Sequence, residues 1–269
     1  MPKSSEIIAA PVIDCRSVTK RFYFDEHRPE SLREWFIRAI LRKHAEFRHT
    51  GFAIRDVNLQ VLAGENVAFV GSNGSGKSSL LRLIAGIYQP SEGNIVTRGR
   101  IAPIIELGAG FHQELTGAEN IALYAAVLGL GRRELGASYE EILDFSGMAD
   151  HLDTPLKYLS SGMEARLAFS VAVCVQPDIL LLDEVLAVGD HEFQQRCLQR
   201  LRSYNEEGGT IVFVSHNFSH VRQFCKRAIW LEQGAVRMDG PSAGVLEAFG
   251  SAAATTAAPG DRLSAPIQA

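Results

Sequence analysis

The chain has 269 residues, 46% hydrophobic and 22% charged, with a formal net charge of −4. That composition excludes a disordered chain, a collagen-like repeat and a coiled-coil rod, and its mild acidity gives no electrostatic footprint for nucleic acid. No apolar run reaches the roughly 18 residues that a membrane span needs, and the N-terminal MPKSSEIIAAPVIDC is too short in apolar residues for a secretory signal. The four cysteines, Cys15, Cys174, Cys197 and Cys225, form no Cys-x-x-Cys pair and read as reduced thiols packed in the core.

In chain order, residues 12–18 and 52–62 read as strands rich in β-branched side chains, with a polar, charged insert between them. Residues 66–70 form a short apolar run that ends at Gly71, as a buried strand does, and a helix follows from about Lys77 to Ala85. The turn YQPSEG leads to short strands at about 94–97 and 101–105. The middle of the chain is helical. Thr116-x-x-Glu119 is a capping box that opens a helix over 117–128, a second helix covers about 138–146, and a third starts near Gly162. Strands return at 178–182, 210–214 and 228–232, with helices at about 190–204 and 218–225 between them. Such alternation predicts an α/β fold with a parallel sheet and a helical insertion. The small, polar, Pro-containing stretch 251–269 reads as a disordered tail.

Gly71, Ser72, Asn73, Gly74, Ser75, Gly76, Lys77 and Ser78 match G-x-x-x-x-G-K-[ST], with a strand before and a helix after. Glycines let the backbone curl so that successive N–H groups point at phosphate oxygens, and the helix N-terminus adds partial positive charge. Lys77 would reach the β- and γ-phosphates, Ser78 would ligate Mg²⁺, and Ser79 completes the set at the helix start. Asp178-Ile-Leu-Leu-Leu-Asp183-Glu184 is an apolar strand ending in two acids. Asp183 fits a Mg²⁺ ligand acting through water, and Glu184 fits a base that polarises the attacking water. These features specify a phosphate-loop ATPase or GTPase; a small-molecule kinase would share them.

Leu159-Ser160-Ser161-Gly162-Met163 narrows the class. It resembles the LSGGQ signature of ABC ATPases, with Ser161 in place of a Gly and Met163 in place of the Gln, and it lies just before the acidic strand as in that family. The resemblance implies that Ser160, Ser161 and Gly162 of one subunit cap the ATP held by the phosphate loop of another, in a homodimer. It also implies that His216 is the switch histidine at the γ-phosphate, that Phe22 is the aromatic stacked on adenine, and that Asp190 is the interface aspartate after the catalytic acid. Glu106 stands where the family carries a Gln, adding negative charge near Mg²⁺ and its water shell. The implied fold is an α/β P-loop ABC ATPase cassette over 1–250, with a RecA-like parallel-sheet core, an antiparallel β subdomain and a helical subdomain over about 106–175.

ELGAGFH, ELTGAEN, SSGM and DEVLAVGD together look like the ATPase subunits of polysaccharide export ABC transporters. That branch exports O-antigen, capsule or teichoic-acid polymers on lipid carriers, which implies a membrane-spanning permease as partner and a peripheral place on the cytoplasmic face of the membrane. The insert at 27–50 suits this branch. Leu32, Trp35, Phe36, Ala39 and Ile40 fall on one helical face, and residues 28–48 carry six basic and three acidic side chains, a local charge of +3. The resembling subunits have a gate helix here. Only about twenty residues follow the cassette, too few for the β-sandwich of ~100 residues that some members use to bind carbohydrate. Two other readings stay open on sequence: an ABC ATPase of another transporter or a non-transport ABC protein acting on ribosomes or DNA, and a soluble P-loop kinase.

Overall fold

The computed structural model describes residues 10–25, 48–105, 108, 110–183, 189–215 and 217–256. Two sheets share one body. The smaller is antiparallel, with order β2-β1-β4, from β1 (Ile13–Asp25), β2 (Arg48–Val61) and β4 (Glu92–Thr97). The larger has order β5-β6-β7-β3-β8-β9. It is built from β3 (Asn66–Val70), β5 (Ile101–Ile104), β6 (Ile179–Asp183), β7 (Thr210–Val214), β8 (Arg227–Glu232) and β9 (Ala235–Pro241). Its strands are parallel except for β9, which returns antiparallel to β8.

The central strands are apolar except at their ends, as at Asn66, Asp183 and Arg227, because both of their faces are covered. Val67 and Phe69 of β3 join one core with Leu181 of β6, Val212 of β7 and Ile229 of β8; this core lies under the antiparallel sheet and helix α1 (Lys77–Ile84). Ala68, Leu180, Phe213 and Trp230 face the other way, into a second core with the remaining helices. Those helices are α2 (Gly117–Val127), α3 (Arg132–Ser146), α4 (Ser161–Cys174), α5 (His191–Glu206), α6 (Phe218–Phe224) and α7 (Ser242–Thr256). The ABC ATPase fold expected from the motifs is the fold observed: mixed parallel and antiparallel sheets with a helical block between β5 and β6.

Several boundaries differ from the sequence expectation. The first two strands run on to Asp25 and from Arg48, because the antiparallel ladder continues through pairs such as Phe24↔His49 and the charged Asp25↔Arg48. The strands thus take in residues 48–50 of the insert expected at 27–50, and residues 27–47 lie outside the described residues. Helix α3 starts at Arg132 rather than near 138; Glu134 accepts a hydrogen bond from Gly131 N at 2.9 Å, closing a capping arrangement around a glycine. The expected tail at 251–269 is corrected at its start. Ser251–Thr256 continue α7, since an alanine run has the highest helix propensity and nothing there breaks it.

Candidate functional site

The parallel order β6-β7-β3 brings three strand ends together. The glycine loop leaves Val70 of β3, Asp183 closes β6, and Ser215 follows β7, with Asp183 in register with Val214. In parallel α/β sheets this carboxyl edge is where ligands bind.

The loop at 71–76 is held from several sides. Gly71 has φ 151°, and a Cβ there would meet the Leu231 carbonyl and stand 2.6 Å from Ser75 Oγ. Ser75 N donates to Ser72 O at 3.1 Å, and Gly234 N donates to Ser75 O at 3.0 Å. Gly76, with φ 105°, is the N-cap of α1, which has no side-chain cap and no acidic residue in its first turn. The first N–H groups of a helix have no partners within it. Here nothing from the helix's own sequence competes for them, and the helix dipole favours an anion at that end.

Lys77 is 5% exposed, and its ammonium donates to the carbonyls of Gly71 and Ser72, each at 2.9 Å. The lysine thus closes the loop in a ring. Ser75 Oγ is buried and has no hydrogen-bond partner in the structure. The loop borders a pocket of about 310 Å³, lined by Ala53, Asn73, Gly74, Gly76, Lys77, Ser78 and Ser79. A glycine cradle, a buried ammonium and an uncapped helix start together fit a polyphosphate. Among the described residues no group of three His, Cys, Asp or Glu side chains could hold a metal ion.

Phe22 stands one strand away. It opposes Gly51 in the β1–β2 ladder, as Lys20 opposes Ile54. Ile54 Cδ1 reaches within 2.9 Å of where a Cβ on Gly76 would stand, so this face of the hairpin meets the loop. The half-buried Phe22 ring packs edge-on against Tyr88 at 5.4 Å, just past the end of α1. The Lys20 ammonium lies 5.3 Å from the Phe22 ring centre and 5.6 Å from that of Tyr88. Phe52 marks the opposite face. It is 42% exposed and carries the Arg21 and Arg55 guanidiniums over its ring at 5.2 and 4.8 Å.

The signature residues lie elsewhere, at the start of α4. Ser160 is its exposed N-cap and accepts a hydrogen bond from Met163 N at 3.2 Å. Ser161 and Gly162 form the first turn. The hydroxyl that caps the helix keeps its proton for a second partner. Asp190 caps α5, accepting from Phe193 N at 2.8 Å, and its other oxygen lies 3.8 Å from Arg166 of α4. The Arg166 guanidinium also covers the Phe193 ring at 4.8 Å and donates to Ser146 O at 3.0 Å, so one side chain ties α4, α5 and the end of α3 together. Glu106, Glu184 and His216 lie outside the described residues.

Some of the site's support was not evident in the sequence. Asn120 is fully buried; its amide donates to the carbonyls of His112, Leu115 and Thr116 at 3.1, 3.0 and 2.9 Å, and its oxygen accepts from His112 N at 2.7 Å. It fixes the loop between β5 and α2. An amide on the buried side of an apolar helix was the available signal. No spacing in the sequence places Tyr88, just past the end of α1, against Phe22 of β1. An apolar cleft of about 590 Å³ also opens between α1, β5 and α2, with Ile87 55% and Val127 62% exposed at its rim.

Residues 54–187 match the family described as ABC transporter. The chain is 42% identical over 244 residues to the O-antigen export system ATP-binding protein RfbB of Klebsiella pneumoniae, covering 91% of this chain and 99% of that one. It is 45% identical over 197 residues to the ABC transporter protein AbcA of Aeromonas salmonicida, covering 73% of this chain and 64% of that one. Among solved structures, the ATP binding subunit of an ABC transporter overlays with a TM-score of 0.69 at 21% identity, over 89% of this chain and 93% of that one. The cassette MJ0796, dimeric in a post-hydrolysis state bound to ADP and Pi, overlays with a TM-score of 0.67 at 23% identity, over 86% of this chain and 98% of that one. The two structures speak to the fold, and the identity to the Klebsiella protein over nearly its whole length settles the family: this chain belongs to the ABC transporters.

Proposed function

We propose that this chain is the ATP-hydrolysing subunit of a transporter that exports a lipid-linked polysaccharide across the cytoplasmic membrane through a separate membrane-spanning subunit. The observation that carries the reading is the glycine loop at the start of α1, where Lys77 and an uncapped helix N-terminus converge. Likeness to a protein named for O-antigen export supplies the cargo class. The polymer is of the O-antigen, capsule or teichoic-acid kind.

In this reading, Lys77 exchanges the Gly71 and Ser72 carbonyls for the β- and γ-phosphate oxygens of ATP. The loop N–H groups of 72–78 hold the same oxygens, and Ser79 lies beside them. Phe22 carries the adenine. Ser78 and Asp183 would hold Mg²⁺, with Glu106 nearby, and the ion would supply neutralisation of phosphate charge. Glu184 takes a proton from the attacking water, and His216 senses the γ-phosphate. Two copies associate head to tail, so that Ser160, Ser161 and Gly162 of each cap the nucleotide of the other, and Asp190 lies at the interface. A two-fold arrangement makes both sites equivalent. ATP closes the pair because its γ-phosphate bonds both halves, and hydrolysis removes that difference.

None of the described helices is long and apolar enough to cross a membrane. The chain works at the cytoplasmic face, and movement reaches the polymer through the permease, which we seat on the apolar rim at Ile87 and Val127. The basic insert expected at 27–50 would serve at the membrane surface as the gate element of the resembling subunits.

The test is depletion of this chain, followed by measurement of labelled lipid-linked glycan on each leaflet. The reading requires a polymer to accumulate on the cytosolic leaflet, and its sugars then name the cargo. Normal surface glycan with no accumulation would overturn the export reading.

A further inference from the structure

The path from the phosphate pocket to Phe22 crosses Lys20. Ala53 lines the pocket, and Ile54, the next residue, opposes Lys20 across the ladder. Phe22 is one step farther out, opposite Gly51. Lys20 and Phe22 share the face that meets the loop, and the ammonium lies over the Phe22 ring. Its hydrogen bond, 2.8 Å long, is to a neutral acceptor, the Gln89 carbonyl. The Lys20 ammonium thus sits between two aromatic rings and a carbonyl and meets no anion in these contacts.

A nucleoside triphosphate laid from the loop to Phe22 places its β- and γ-phosphates at Lys77 and its base at the ring. What spans the gap is the α-phosphate and the ribose. We propose that Lys20 is a further nucleotide-binding residue: when ATP is bound, its ammonium leaves the Gln89 carbonyl for the α-phosphate. The move needs only rotation about the lysine's side-chain bonds and replaces a neutral acceptor by a charged one. Tyr88 supports the arrangement from below, its ring edge-on to Phe22 and close to the same ammonium. This inference rests on the reading of the loop as an ATP site.

The experiment compares two probes, ATP and inorganic pyrophosphate, by titration calorimetry on the full chain. Pyrophosphate fills the loop but does not reach the α-position. A charge-assisted hydrogen bond contributes about 1.5–3 kcal/mol, which corresponds to roughly a tenfold to hundredfold change in Kd. Lys20→Met is expected to weaken ATP by that factor and to leave pyrophosphate within about twofold, while Lys20→Arg restores ATP binding. Unchanged ATP affinity in Lys20→Met overturns the proposal. So does equal loss of ATP and pyrophosphate, which would mean that Lys20 only shapes the loop. Lys77→Ala separates the two levels. If it weakens both probes while Lys20→Met weakens neither, the loop is an ATP site and Lys20 is not part of it. If Lys77→Ala weakens neither probe, the site reading itself fails.

Discussion

Replacing Gly76 by alanine tests whether the glycine loop is built for close backbone approach. Gly76 has φ 105°, a region that side chains with a Cβ rarely adopt. The added Cβ would stand 2.5 Å from the Ala53 carbonyl oxygen, 2.9 Å from Ile54 Cδ1 and 3.5 Å from Gly234 Cα. Ile54 can turn aside. The carbonyl cannot, because β2 is fixed to β1 on one side and Arg55 N donates to Gly234 O at 2.8 Å on the other. Backbone strain at such a position costs about 1–3 kcal/mol and overpacking about 1–3 more. At roughly 2–4 °C per kcal/mol for a chain of this size, a loss of ~2–6 kcal/mol lowers Tm by about 5–20 °C. If the loop instead relaxes, its N–H groups shift by roughly an ångström, enough to cost about a hundredfold in what they bind or orient. Differential scanning fluorimetry with and without ATP, followed by calorimetry, reads both outcomes. A variant with Tm within a degree and ATP affinity within twofold of the wild type would refute the argument.

Glu184→Gln should keep ATP binding while hydrolysis falls by about 10²–10⁴-fold, and the protein should run as a dimer with ATP in gel filtration; normal turnover would remove Glu184 as the base. Asn120→Ala leaves the buried His112 N–H without its partner and takes the side-chain donor from three carbonyls that each keep a backbone one, and we expect a loss of about 1–3 kcal/mol, seen as a Tm lower by roughly 2–10 °C. Acid should destabilise the fold in a defined window. Hydrogen bonds from Arg16 and then Gln60 hold Asp14 below its ordinary 3.8, and bonds from the Thr116 and Gly131 N–H groups hold Glu119 and Glu134 below 4.5. The unfolded chain takes up these protons first, so stability is full above about pH 5.5 and falls as pH drops through the folded values; a flat melting temperature down to about pH 3 would contradict this. All four cysteines are buried, with thiols pushed up to about 12 by desolvation. Iodoacetamide should label them at least about tenfold more slowly in the native protein than in urea, and equal rates would show the cores to be open.

What could be read from the chain depended on how local the structure was. The phosphate loop is one contiguous string, and β3 and β7 are apolar runs whose bounds coincide with the expected 66–70 and 210–214. The capping box at Thr116 sits where it was read, with Glu119 accepting from Thr116 N at 2.8 Å. Legibility ended where tertiary pairing decides. Strand β9 carries AVRMDGP, half-exposed and broken by Arg237, Asp239 and Gly240, and is a strand only because β8 offers an edge. The outer halves of β1 and β2 likewise hold Lys20, Arg21, Arg48 and His49, which carry no apolar alternation. The surroundings of Phe22 required three distant segments to meet, and no spacing in the sequence encodes that Tyr88 would lie beneath it. Ser160 shows a different limit. A helix N-cap and a ligand-facing serine use the same residue in the same place, and the structure shows the cap while leaving the hydroxyl exposed.

The central claim is that ATP at the loop drives a polymer through a membrane partner. It is tested most directly in inverted membrane vesicles that hold the whole transporter and a labelled lipid-linked polysaccharide on their outer face. The account predicts ATP-dependent movement of the polymer to the lumen with the wild-type chain and none with Glu184→Gln. Equal movement without ATP, or with Glu184→Gln at the wild-type rate, would contradict it.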